Sequence, residues 1–156
     1  MKNKDLFRVG LIQNNPVFGE VEYNLSKIEP LLTQNTVDLM VLPELFSTGY
    51  HFLNQEEALR LSEPIPEGPT TQALVQICEK NQTSIIAGIA ERDKNRTYNS
   101  AVVIGPNGYQ GKYRKIHLFG TEKNCFDKGN LPLKVFDIGI VRVGVMICFD
   151  WRFPET

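Results

Sequence analysis

Residues 38–50, DLMVLPELFSTGY, decide how the rest of the chain is read. Asp38 to Leu42 form a short, continuously apolar run of the kind buried on both faces of a parallel sheet, and the run stops at Pro43-Glu44. Upstream, Phe7 to Gln13 (FRVGLIQ) reads as another buried strand. A helical segment follows at Asn24 to Gln34, with Leu25, Ile28 and Leu32 at helical spacing. Pro30 falls inside that pattern and is expected to kink or split the helix. Downstream, Pro64 to Pro69 is a turn-rich connector, and Leu74, Ile77 and Cys78 mark one face of a helix running to about Asn81. Ser84 to Ala90 is a strand, and Asn99 to Ile104 with Tyr109 to Tyr113 flank the turn sequence Gly105-Pro106-Asn107-Gly108 as a hairpin. Leu133 to Asp137 and Val141 to Ile147 form a further pair joined at Gly139. The order β-α-β-α-β followed by hairpins predicts a layered α/β fold with a mixed sheet.

The composition bounds the class. A chain of 156 residues, 42% apolar and 22% charged, fits one globular domain with a real core. The net charge is −1, and no basic run or stripe is present, which disfavours nucleic acid as a partner. The longest apolar run, Val143 to Phe149, is seven residues, against the ~20 of a membrane-spanning helix. The start, MKNKDLFRVGLIQ, breaks at Asp5 and Arg8 before any apolar leader region, so a cytoplasmic location is expected. Cys78, Cys125 and Cys148 are widely spaced and odd in number, which predicts free thiols.

Open α/β folds present ligands at the carboxyl ends of their strands. Three reactive side chains stand at such ends: Glu44 after DLMVLP, Lys115 in GKYRKIHLF, and Cys148 in RVGVMICFDWRFPE. Taken singly, each has a structural explanation as a loop charge, a surface lysine or a small core residue. Cys78 reads as packing, and Cys125 sits in a polar stretch with no buried strand to present it. His51 and His117 have no partner at metal-ligand spacing. Asp150, Arg152 and Glu155 read as braces for the turn after Cys148.

Taken together, VLPELF, YRKIHLF and VGVMICFDWRFPE resemble the nitrilase superfamily of carbon–nitrogen hydrolases, in the family's order. RVGLIQ and YNSAVVIGPNG are similar to the corresponding parts of archaeal nitrilase-like enzymes. The resemblance implies an α-β-β-α sandwich and a Glu-Lys-Cys triad. Cys148 would be the nucleophile, Glu44 its base, and Lys115 the group that meets the developing negative charge. The stretch Glu122 to Gly129 resembles the place where many members carry a second active-site glutamate, here Glu122, which would orient Lys115 or the substrate. It also implies a small amide, N-carbamoyl compound or nitrile as substrate, with ammonia released and no cofactor or metal, and a homodimer or larger oligomer. Family domains continue well past the cysteine. Residues 1–156 are therefore expected to be the N-terminal part of a single carbon–nitrogen hydrolase domain, truncated after the nucleophile strand. The alternative is a catalytically silent fragment or pseudoenzyme kept for binding or assembly.

Overall fold

The computed structural model describes residues 6–34, 36–139 and 141–156. The leader reading of residues 1–5 and the part of the Gly139 connection at residue 140 lie outside them. Five strands form one sheet in sequence order: Val9–Leu11 (β1), Leu39–Val41 (β2), Ser84–Asp93 (β3), Arg96–Gly105 (β4) and Gly108–Arg114 (β5). β1, β2 and β3 run parallel, while β3 with β4 and β4 with β5 are antiparallel, so the sheet is mixed. The parallel pairs require crossovers, and these are the helices Val21–Gln34 (α1) and, with the shorter Gln55–Leu61 (α2), Pro69–Asn81 (α3).

α1 and α3 cover one face of the sheet. Ile28 and Leu32 from α1 and Leu74, Ile77 and Cys78 from α3 meet Met40, Ile85, Ala87, Ile89, Val102 and Ile104 in the main core. The opposite face carries Ile86, Ala101 and Tyr113, which pack with Ile116, Val145 and Ile147. The two-stranded antiparallel sheet of Val135–Asp137 (β6) and Arg142–Gly144 (β7) adjoins the large sheet through Phe136, which stands against Gly111 of β5, and through Val145, which follows β7 into this second cluster. The layers are thus helices, large sheet and small sheet, an α/β architecture.

Several sequence expectations need correction. α1 runs unbroken through Pro30 rather than splitting there. The run from Phe7 to Gln13 pairs over only three residues, and Val9 and Leu11 are exposed because β1 is an edge strand. α2 was not expected. Its Asn54 side chain caps the Glu57 N–H at 2.9 Å while the Glu57 carboxylate accepts from the Leu53 N–H at 2.8 Å. The apolar run from Val141 pairs only to Gly144, so Cys148 does not end a strand but opens a short 3-10 helix, Cys148–Arg152. Cys125 is buried against Leu45, Ala58, Ala90 and Phe126 rather than lying in a polar loop.

Candidate active site

Glu44 sits in the turn after β2, and the fold presses that turn against β3. The Gly88 N–H donates to the Pro43 carbonyl at 3.1 Å, and a Cβ on Gly88 would stand 2.4 Å from the Glu44 Cα. Lys115 immediately follows β5; its N–H donates to the Asn99 carbonyl at 2.8 Å and its own carbonyl accepts from the Gly129 N–H at 2.8 Å. A Cβ on Gly129 would lie 2.1 Å from the Arg114 carbonyl oxygen. Both reactive side chains are therefore set by backbone-on-backbone contacts that only glycine permits.

The side chains converge. Lys115 Nζ is fully buried and donates to Glu44 Oε1 at 2.6 Å and to both oxygens of Glu122 at 2.9 Å. Glu122, in the 3-10 helix Gly120–Asn124, is itself anchored by the Phe119 N–H at 2.7 Å. Burial opposes the Lys115 charge, but the bonds from Glu44 and Glu122 outweigh it and hold the ammonium above the ordinary lysine range.

Cys148 stands beside this cluster with its side chain exposed and its φ at +43°, a left-handed conformation that a non-glycine residue adopts only under local constraint. The constraint comes from Asp150. This fully buried carboxylate accepts from the Ile147 N–H (3.0 Å) and Tyr113 Oη (2.8 Å) on one oxygen, and from the His117 N–H (2.9 Å) on the other, which also pairs with His117 Nδ1 at 2.8 Å. The His117 ring in turn stacks on Phe153 at 3.7 Å. Partial desolvation at the sulfur pushes the Cys148 thiol up although the residue is exposed, and the Glu44 charge, a hydrogen bond to Glu44 and the Glu122 charge add to this against the opposing pull of Lys115. Two carboxylates around one ammonium leave the site negative, so the thiol rests protonated at neutral pH. The same field and burial push Tyr50 up to about 12. Next to Glu122 lies a cavity of about 340 Å³ walled by Leu45, Tyr50, Phe52, Phe119 and Phe126.

The four residues picked out in the sequence thus occupy one place. Two neighbours were missed. Asn99 on β4 donates to Glu44 Oε1 at 2.6 Å and to Glu122 Oε1 at 3.4 Å, and Tyr50 lies within the field of Glu44, Glu122 and Cys148. Tyr50 could have been found from the aromatic end of DLMVLPELFSTGY; Asn99 carried no signal beyond its strand.

The carbon-nitrogen hydrolase family model matches residues 8–156. The chain belongs to the carbon-nitrogen hydrolase family. Among similar proteins, one named nitrilase from Pyrococcus abyssi is 49% identical over 154 residues, covering 97% of this chain and 59% of the relative. An (R)-stereoselective amidase from Pseudomonas sp. is 34% identical over 151 residues, covering 96% of this chain and 54% of the relative. The solved structure of a CN-hydrolase superfamily protein from Xanthomonas campestris, with an arsenic adduct in its active site, shares the fold. The TM-score is 0.84 at 24% identity, over 96% of this chain and 56% of that one. This carbon-nitrogen hydrolase family member therefore spans about half the length of the curated relatives it matches. Among the described residues, no helix is long and apolar enough to cross a membrane.

Proposed function

We propose that this chain carries the reacting groups of a hydrolase for non-peptide carbon–nitrogen bonds, acting on a small amide, N-carbamoyl compound or nitrile through a thioester on Cys148. The observation that carries this reading is a fully buried lysine held between two carboxylates beside an exposed, conformationally constrained thiol. The names of the Pyrococcus nitrilase and the Pseudomonas amidase support the same class.

Because the thiol is protonated at rest, its proton must leave as the sulfur attacks. With an amide or N-carbamoyl substrate, Glu44 takes that proton while the Cys148 Sγ–carbon bond forms and the carbonyl π electrons move to oxygen. A nitrile instead gives a thioimidate, the thiol proton ending on nitrogen, and the thioimidate adds one water to reach the same tetrahedral intermediate. Lys115, with the backbone N–H that follows Cys148, meets the oxyanion; one such donor is typically worth about 2.7–4 kcal/mol. Protonated Glu44 then passes its proton to the departing nitrogen, the carbon–nitrogen bond breaks, and ammonia leaves the thioester. Water, deprotonated by Glu44, hydrolyses the thioester, and the thiol recovers its proton. Glu122 keeps Lys115 charged and aimed through its two-oxygen contact.

In this reading residues 1–156 are the N-terminal part of one hydrolase domain, whose whole acts in the cytoplasm as a homodimer or larger oligomer without a cofactor. A second reading, a silent piece kept for binding or assembly, is favoured by the apolar side chains left at the surface, among them Leu11, Met146 and Trp151. Ammonia release from a panel of amides, N-carbamoyl compounds and nitriles separates the two. Turnover that disappears in Cys148→Ala supports the hydrolase, and equal release from Cys148→Ala excludes the thioester route.

A further inference from the structure

Asn99 touches the three charged members of the site, Lys115, Glu44 and Glu122. Its backbone carbonyl accepts the Lys115 N–H, and its amide nitrogen donates one proton to Glu44 Oε1 and the other to Glu122 Oε1. Both side-chain neighbours are carboxylate oxygens, which only accept, so the amide nitrogen must face them. The cost is visible on the other end of the amide: Asn99 is 1% exposed, and its Oδ1 has no hydrogen-bond partner among the described residues. Such an orphan persists where the other half of the group is committed elsewhere. A hydroxyl in its place would be too short to bridge both carboxylates, and a cation would cancel the negative field around Cys148.

We infer that Asn99 is a positioning residue that bridges Glu44 to Glu122 and occupies Glu44 Oε1 together with Lys115, leaving Oε2 as the oxygen that receives the Cys148 proton. Lys115 Nζ and Asn99 Nδ2 both lie 2.6 Å from Oε1, so rotation of the carboxylate that exchanged its two oxygens would break two short bonds at once. The bridge also holds two like charges together that a single ammonium would otherwise have to restrain. The inference rests on the reading of Glu44 as the base.

The test uses the pH midpoint of Cys148 alkylation by iodoacetamide, followed by intact mass and peptide mapping in the parent chain and in E44Q, N99A and N99D. It needs no substrate. The groups facing the thiol are Glu44, Glu122, Lys115 and Tyr50. E44Q removes a negative charge and should lower the midpoint. N99A uncovers the Glu44 charge and should raise the midpoint by a few tenths of a unit, while the isosteric N99D, which adds an acid in place of a donor, should raise it by ~1 unit. Circular dichroism reports folding, and N99D keeps the side-chain volume should N99A not fold. A lowered midpoint in E44Q with no rise in N99A or N99D would overturn the inference and leave Asn99 as core filling. An unchanged midpoint in E44Q would instead remove Glu44 as the base and the inference with it.

Discussion

Tyr113 Oη donates to Asp150 Oδ2 at 2.8 Å, tying the strand that delivers Lys115 to the turn that carries Cys148. The same carboxylate caps the Ile147 N–H and receives the His117 N–H, so one buried charge fixes the relative positions of two segments 33 residues or more apart in sequence. Asp150→Ala leaves the buried Tyr113 Oη and Ile147 N–H and the part-buried His117 N–H without this acceptor, the buried ones at about 1–3 kcal/mol each. Urea unfolding should show a loss of ~3 kcal/mol or more, whereas Tyr113→Phe should lose only ~1 kcal/mol. Equal midpoints for the parent and Asp150→Ala would show that the turn is held by something else.

Gly88 and Gly129 make contacts in which a Cβ meets main chain rather than a yielding side chain. Gly88→Ala and Gly129→Ala should each cost about 1–3 kcal/mol by overpacking and shift the pH midpoint of Cys148 alkylation, downward where Glu44 is displaced (Gly88→Ala) and upward where Lys115 is displaced (Gly129→Ala). Gly144→Ala is the control, since nothing lies within 4 Å of its added Cβ. The idea fails if all three variants have the same stability and thiol reactivity.

Glu91 supplies the pH dependence of stability. Burial alone would raise its carboxyl, but hydrogen bonds from Arg114, Lys112 and Ser100 outweigh that and hold it below the ordinary glutamate value. A carboxylate depressed in the folded state contributes stability that is present above its unfolded pKa of ~4.3 and is lost as pH falls through the folded value. The urea midpoint should therefore decline as pH falls below about 4–5. Glu91→Gln takes the buried carboxylate away from Arg114 and Lys112, leaving Arg114 with Asp93 and Asn130 and Lys112 with the Ile65 carbonyl. It should be less stable at pH 7 by ~3 kcal/mol and should show a shallower acid slope. Parallel slopes for the two proteins would assign the acid sensitivity to other groups.

Much of this arrangement was legible because Glu44 and Lys115 stand at the ends of apolar or alternating runs, where strand pattern alone locates a side chain. The missed helix α2 buries only Ala58, so no apolar stripe announced it, although Asn54 and Glu57 carry the spacing of a cap. In sequence Cys148 falls at a strand end because Val143 to Phe149 is uninterrupted in apolarity. Ladder pairing stops at Gly144 for lack of a partner beyond Val135, a tertiary fact that local pattern does not hold. Asn99 was invisible for a related reason. Its meaning depends on Glu44, Lys115 and Glu122, which reach it across separations of up to 55 residues.

The three thiols should differ sharply in reactivity. Cys78 and Cys125 are buried and Cys148 is exposed, and burial pushes the Cys78 thiol up to about 12. Limited iodoacetamide at pH 8 should add a single carbamidomethyl group, mapped to Cys148. Faster labelling of Cys125 would contradict the placement of these side chains.

The central claim, that Cys148 is acylated during turnover with Glu44 as its base, is tested most directly by intact mass after acid quench of the chain mixed with an amide it hydrolyses. The expected result is a mass increase equal to the acyl group, mapped to Cys148, absent in Cys148→Ala and strongly reduced in Glu44→Gln. Ammonia release with no acyl adduct on Cys148, continuing undiminished in Cys148→Ala, would contradict it.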